Sequence, residues 1–566
     1  MRCPAHARCR RRITGDRPGR AEVRNRAFVA CAVAGVISLA GCGNPAHPPS
    51  GDRSTDAGTL VDTPAAKGDA DRVTWNVPYG EPTSLDPLKS ANYPENEVLS
   101  NLCESLMRVN PDYSVTPGLA ESASHPTPTT WVYDLRKGVK FWDGKEMTAD
   151  DVVYSLKRHM DPAEGSFWAS SMLTGNIASI EKTGDLQVTV TLKKPDVVIN
   201  QYMATPLGAI TEAAFTRQAG AKFGTPDKGV MCTGPFSLKS WDKGSQITMV
   251  RNDSYWDQAR KAHAKEFDFR FIVDPATLTN ALKTGEIDGS YDVPTDAVDQ
   301  LSNAANGTLY LGRSMQLVAI IGTGEGPFAD PRLRTALLAA VDREAIAKTV
   351  FAGTAAPLRS VVPPGSSSYA SEVYEKAYDK LRPTTVDIDG AKKLVEEAGR
   401  PSGPIVIAYP SERTVYEDIL AEVQSSGKKI GLDIRPQGVP SARYGALFSD
   451  AEARKGYSGF VTTNYLDVPE PLAFLRRHID HGSPDNYDNF TDPEITTLLE
   501  QASAETDDTK RAELTTEVEA KYMAKTPWLP MVAPSTRLFM NSRITGAPAS
   551  FDYLYYPWAA AVGSAK

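Results

Sequence analysis

No segment of this chain is apolar for long enough to cross a membrane as a helix, so its hydrophobic residues must be buried in a folded core. The longest run, from Ala27 to Leu39, holds about thirteen apolar or small residues, whereas a spanning helix needs about twenty. Nothing later approaches eighteen. With 566 residues, 41% of them hydrophobic and 23% charged, the chain can build a large core. Its length suggests two to four domains, and its composition excludes a disordered polymer.

The short run is a signal-peptide core by its length and position. Nine arginines precede it, from Arg2 to Arg26, and it closes on Leu39-Ala40-Gly41-Cys42. Small residues before a cysteine at such a place resemble a lipobox, in which Cys42 takes diacylglycerol and becomes the mature N-terminus. Residues 1–41 therefore read as a lipoprotein signal. Residues 42–71, rich in Pro, Gly, Ser, Asp and Ala without hydrophobic periodicity, read as a flexible tether. The expected product is exported and lipid-anchored at the outer face of the cytoplasmic membrane.

Charge and cysteine usage change once that leader is set apart. The net charge of −8 becomes −15, with 53 basic against 68 acidic residues from position 42 onward. An acidic body without a basic tract excludes nucleic-acid binding by counterion release. Cys3, Cys9 and Cys31 fall in the leader and Cys42 goes to lipid, leaving Cys103 and Cys232. In an oxidising compartment the pair suggests a disulfide, with two buried thiols as the alternative.

The remainder mixes short strands and helices without an internal repeat. Trp131, Tyr133 and Leu135 share one face of a half-buried strand, and Leu186, Val188, Val190 and Leu192 alternate in another. Thr148-Ala149-Asp150-Asp151 is a capping box, followed by the stripe Val152, Val153, Leu156 and Met160. Asp330-Pro331 starts a second helix with Leu333, Ala336, Leu337, Ala340 and Val341 at helical spacing. The mixture argues for α/β or α+β domains.

Several segments then match a known family in order. They are Thr83-Ser84-Leu85-Asp86-Pro87, Leu119-Ala120-Glu121-Ser122, the run from Tyr133 to Gly144, and that from Thr148 to Leu156. They continue with Thr233-Gly234-Pro235-Phe236, Arg251-Asn252 with Tyr255-Trp256, Gly285-Glu286-Ile287-Asp288, and the run from Pro327 to Arg334. These resemble the family 5 extracellular solute-binding proteins, the peptide and nickel receptors of ABC importers, over roughly residues 73–545. The resemblance implies an α/β, type II periplasmic-binding-protein clamshell with two lobes and an extra subdomain inserted in lobe I. Lobe I would take residues 72–113, 205–312 and 528–566, the insert 114–204, and lobe II 313–527.

It also implies a ligand set. Asn464-Tyr465-Leu466-Asp467-Val468-Pro469-Glu470-Pro471 stands where peptide-binding members carry an aspartate for the ligand's α-ammonium, so Asp467 is the expected anchor. Asn464 replaces a frequent aromatic wall, and Tyr465 is expected to supply part of it. Asn92, Tyr93 and Glu95 are expected to line the cleft. Val461 and Gly322 stand where some members place an arginine and an asparagine, and those contacts do not carry over. The implied partners are short peptides and permease subunits driven by a separate ATPase, with the receptor a monomer that needs no cofactor and no metal.

Other readings are weaker. Ser425-Ser426-Gly427-Lys428 with Lys182-Thr183-Gly184 and Lys283-Thr284-Gly285 resembles the penicillin-binding signatures, but in the wrong order, and Gly427 is expected to end a helix. The chain is therefore not read as an enzyme. His478 and His481 could share a helix face, yet two histidines make a poor metal site. A nickel chelate, haem or oligosaccharide ligand on the same fold, or a peptide-sensing lipoprotein, are the alternatives.

Overall fold

A computed structural model describes residues 63–566 except 91, 170–173, 402, 482 and 484. The leader and Cys42 lie outside the described residues.

Two mixed sheets organise the rest. The first has seven strands, in the order Gly307–Gly312, Thr536–Asn541, Gly289–Ser290, Ala70–Asn76, Ala264–Arg270, Gln246–Arg251 and Phe236–Asp242. The second has six, in the order Ala355–Pro357, Trp528–Pro534, Gln316–Gly322, Gly459–Tyr465, Ile405–Pro410 and Ile434–Val439. Its central strands Gln316–Gly322 and Trp528–Pro534 are buried at every residue. That is why they read as continuous hydrophobic runs rather than as alternating ones.

The inserted segment forms its own four-stranded antiparallel sheet. Trp131 pairs with Val190 and Tyr133 with Val188, and all four are buried, so the alternation sets the register. The helix Ala149–Arg158 begins at the capping box. Asp151 accepts from the Thr148 amide at 3.0 Å while Thr148 accepts from the Asp151 amide at 3.4 Å. Asp330 caps Pro331–Ala340 by accepting from the Arg332 amide at 2.9 Å.

The lobes are joined by two short crossings, at residues 313–315 and at Ser535. The Thr536 hydroxyl donates to the Arg313 carbonyl at 2.7 Å, which sets the crossings side by side. Adjacent short crossings between two rigid sheets are the geometry of a hinge.

Three expectations change. The strand Trp528–Pro534, expected in lobe I, pairs with Gln316–Gly322 in the second sheet, so the chain returns to the first sheet only at Ser535. Hydrophobicity could not reveal this, because a fully buried strand suits either sheet. The last part of the expected tether is docked. The Lys67 amide donates to the Ser564 carbonyl at 2.9 Å and Thr63 Oγ1 to the Ala547 carbonyl at 2.8 Å. Main-chain bonds hold these residues, which is why no apolar period marks them.

Gly427 stands in the last turn of its helix, as expected. It lies inside Thr414–Lys429, where a Cβ would come within 2.4 Å of Ile434 Cγ1, so glycine serves close packing there. His478 and His481 do not share a helix face. His478 is buried in Pro471–Ile479 with Nδ1 2.7 Å from the Phe474 carbonyl, and His481 lies beyond the helix end.

Candidate functional site

The strand Gly459–Tyr465 runs out of the second sheet toward the first lobe and ends in the turn Leu466 to Glu470. Glu470 then caps the helix Pro471–Ile479, accepting from the Leu472 amide at 3.2 Å. The cap fixes how the turn enters the helix, and so places Asp467 opposite a residue two turns along. That residue is Arg477, whose Nη1 donates to Asp467 Oδ2 at 2.6 Å.

Arg477 also pairs through Nε with Asp485, whose other oxygen accepts from the Tyr487 hydroxyl at 2.7 Å. One guanidinium thus sits between two carboxylates, and the triad keeps one negative charge in excess. Burial pushes the Asp467 carboxyl up, with Arg477 opposing and Asp485 adding to the rise. Burial also acts against Asp485, yet Arg477, His478 and Tyr487 hold it below the usual carboxylate range. Asp467, 9% exposed, is therefore the carboxylate of the two whose ionised form is less well supported. The Tyr555 hydroxyl of the first lobe is its further partner.

Beside the triad is an aromatic cluster drawn from both lobes. The Tyr465 ring meets Tyr93 edge-on at 5.2 Å between centroids and Phe551 at 5.2 Å, and Tyr93 meets Tyr79 at 4.8 Å. Arg413 of the second lobe lies over Tyr79 at 5.4 Å. Behind them Asp292 accepts from Tyr553 at 3.0 Å, Tyr79 at 3.3 Å and Gln316 Nε2 at 3.4 Å, linking the first lobe to the first residue after a crossing. Its Oδ1 is buried without a partner, and burial raises its carboxyl.

Of the expected ligand residues, Tyr93 and Tyr465 meet, and Asp467 lies two residues beyond Tyr465. Glu95 is 1% exposed and turned inward; its Oε1 accepts from the Thr83 amide at 2.9 Å and hydroxyl at 2.7 Å. It pins the preceding loop. Asn92 is exposed at the start of the helix Tyr93–Leu99 and makes no side-chain cap bond. Asn464 folds back on its own chain, Oδ1 accepting from the Tyr465 amide at 2.7 Å. Val461 is buried in the sheet, and at Gly322 a Cβ would come within 2.8 Å of the Pro527 carbonyl.

Cys103 and Cys232 are joined in a disulfide that fastens the segment after the Tyr93 helix to the loop before the strand Phe236–Asp242. Arg477, Asp485, Arg413, Asp292 and Tyr555 were not legible as site residues. The one sequence signal for the C-terminal segment is its aromatic density, with Phe551, Tyr553, Tyr555, Tyr556 and Trp558 within eight residues. The penicillin-binding signatures fall on separate elements: Ser425 and Lys428 exposed near the end of a lobe II helix, Lys182 on a strand of the insert, and Lys283 in the last turn of Pro275–Thr284. Among the described residues no group of three or more His, Cys, Asp or Glu could hold a metal ion, and no helix is long and apolar enough to cross a membrane.

Known proteins share this architecture. The sequence profile described as bacterial extracellular solute-binding proteins, family 5 Middle, matches residues 114–486. The periplasmic oligopeptide-binding protein OppA of Salmonella typhimurium is 26% identical over 499 residues, covering 82% of this chain and 88% of its own. The solved substrate-binding protein CtaP of Listeria monocytogenes superposes with a TM-score of 0.76 at 20% identity, covering 88% of this chain and 100% of its own. The oligopeptide-binding protein AppA of Bacillus subtilis, solved with a nonapeptide, gives 0.73 at 22% identity with the same coverages. The fold is thus the α/β, type II binding-protein clamshell, and with more than half its length matched the chain belongs to the bacterial extracellular solute-binding proteins, family 5.

Proposed function

We propose that this protein is the binding subunit of an ABC importer, closing its two lobes on short peptides and delivering them to a membrane permease driven by a separate ATPase. The observation that carries this reading is the Asp467–Arg477–Asp485 cluster at the lobe junction, in which buried Asp467 is the carboxylate whose charge is less fully met. A peptide's α-ammonium would neutralise that charge through a charge-assisted hydrogen bond of about 1.5–3 kcal/mol. The peptide-binding names of the relatives support the same ligand class. Tyr465, Tyr93 and Phe551 offer aromatic surface beside the anchor for side chains of varied shape. Asn92, Asn464 and Glu95 take secondary places: Asn92 at the exposed rim, Asn464 and Glu95 holding the backbone around the cleft.

Calorimetric titration with trialanine tests the anchor. Asp467→Asn is expected to weaken binding by at least about tenfold, and N-acetylation of the peptide to weaken binding to the unmodified protein as much. Affinity should also fall as the pH drops, because protonation removes the charge that Asp467 presents. Equal affinity of both proteins for the free and acetylated peptides would reject the amine anchor. Lipid attachment at Cys42, which would hold the protein at the outer face of the cytoplasmic membrane, is tested by labelling cells with radioactive palmitate. Label should be incorporated, and Cys42→Ala should abolish it.

A further inference from the structure

A second pocket lies wholly within lobe II, apart from the lobe junction. Its cavity is about 250 Å³, walled by the segment Val362 to Ser367, one face of the helix Ser371–Lys380, and Pro471. Glu519 reaches it from the helix Asp508–Lys525. The apolar surface comes from Pro363, Pro364, Tyr374 and Tyr378. Two polar atoms in this lining are buried without a partner, Glu519 Oε1 and Ser366 Oγ, on side chains 4% and 2% exposed.

A carboxylate oxygen left bare in an apolar wall is costly unless it meets a hydrogen-bond donor. Its surroundings supply little. The residues that act on Glu519 are Ser360, which hydrogen-bonds it, and Tyr378, which feels its charge; no cation acts on it. Guanidiniums in this part of the lobe are engaged elsewhere: Arg359 with the Asp379 carbonyl and carboxylate, Arg343 with the Leu358 and Pro383 carbonyls, and Arg511 with Glu470 and Asp508. At the rim, Glu375 adds negative charge, while Asp379 is paired with Arg359. The burial that isolates Glu519 also pushes its carboxyl up to about 7.

We propose that this pocket is a second binding site, for a small primary amine with an apolar body. The ammonium donates to Glu519 Oε1 and Ser366 Oγ, and the apolar part lies between the prolines and the rings of Tyr374 and Tyr378. A two-pronged donor with a positive charge satisfies both bare acceptors and the charge together. A neutral alcohol can donate to Glu519 and accept from Ser366 but leaves the carboxylate's charge unmet, and an anion meets Glu519 and Glu375 with like charge.

Titration of the full chain at pH 8 with benzylammonium chloride, benzyl alcohol and sodium benzoate tests the assignment. Benzylammonium is expected to bind with a Kd of about 1 mM or tighter and the other two at least about tenfold more weakly. Glu519→Gln should weaken benzylammonium by at least about tenfold. Ser371→Trp, which fills the pocket from an exposed position at the start of its helix, should abolish binding even if the Glu519 variant does not fold. No binding of benzylammonium, equal binding of benzyl alcohol, or unchanged binding in the folded variants would overturn the proposal. Loss of binding in Asp467→Asn would place the amine at the lobe junction instead, and would overturn it as well.

Discussion

At the scale of single residues, this protein concentrates its unsolved electrostatics in a few buried carboxyls. Glu519 is the clearest, because burial alone moves it, with only Ser360 opposing. Its folded carboxyl holds a proton up to about 7, whereas in the unfolded chain it ionises near 4.5. The contribution of that proton to stability is therefore complete below pH 4.5 and is lost as the pH rises through 7. Glu519→Gln removes this dependence. Measured by chemical denaturation, the stability of the variant relative to the parent should be greater at pH 8 than at pH 5, by about 3 kcal/mol; an equal difference at the two pH values would show that Glu519 ionises freely. Asp467 differs in kind, since a guanidinium already meets one of its oxygens. The sequence marked Asp467 through its motif but could not mark Arg477. Their pairing depends on the direction in which the Glu470-capped helix leaves the turn, and no spacing rule encodes a direction.

At the scale of elements, local chemistry and tertiary linkage divide the work. The capping box at Thr148, the Asp330-Pro331 start and the strand Thr130–Leu135 were legible because each depends on neighbours in sequence or on a simple period. At Gly427 the end of the helix was legible, but the reason for glycine was not, because it answers to a strand packed against it. The disulfide is the longest-range covalent link between elements, bridging a separation of 129 residues that includes the whole inserted sheet. Closing a loop of that length removes unfolded-state entropy worth about 5 kcal/mol by the chain-entropy relation, with measured losses generally about 2–5 kcal/mol. Replacing both cysteines by serine should lower stability in that range by denaturant titration, while the far-ultraviolet dichroism of the folded protein stays the same. A double variant as stable as the parent would mean that the insert and first lobe are held by packing alone. A separate tie joins the insert to the second lobe, where Arg476 donates to both oxygens of Asp196 at 2.9 Å.

At the scale of the whole molecule, the two crossings and the aromatic junction describe a body that opens and closes about one line. A ligand held between the lobes binds the folded state alone, so it should raise thermal stability by mass action, about 2.7 kcal/mol at a hundred times its Kd. Differential scanning calorimetry with saturating trialanine should show that rise in the parent and little of it in Asp467→Asn; an unchanged melt in the parent would count against capture between the lobes. The sequence by itself determined the strands around Tyr133 and Val190, the helix starts at Thr148 and Asp330, the family motifs and the acidic character of the body, because these follow from local periodicity, capping and composition. The family resemblance named Asn92, Tyr93, Glu95, Asn464, Tyr465 and Asp467 as candidates, of which Tyr93 and Tyr465 meet in the fold. Only the tertiary structure decided which sheet receives Trp528–Pro534, that residues 63–69 dock on the C-terminal strands, that Arg477 and Asp485 share the charge of Asp467, and that Glu519 faces a pocket with a bare oxygen. The physical reason is the same in each case: these are contacts between residues distant in sequence, fixed by how whole elements are oriented and by how much water their packing excludes.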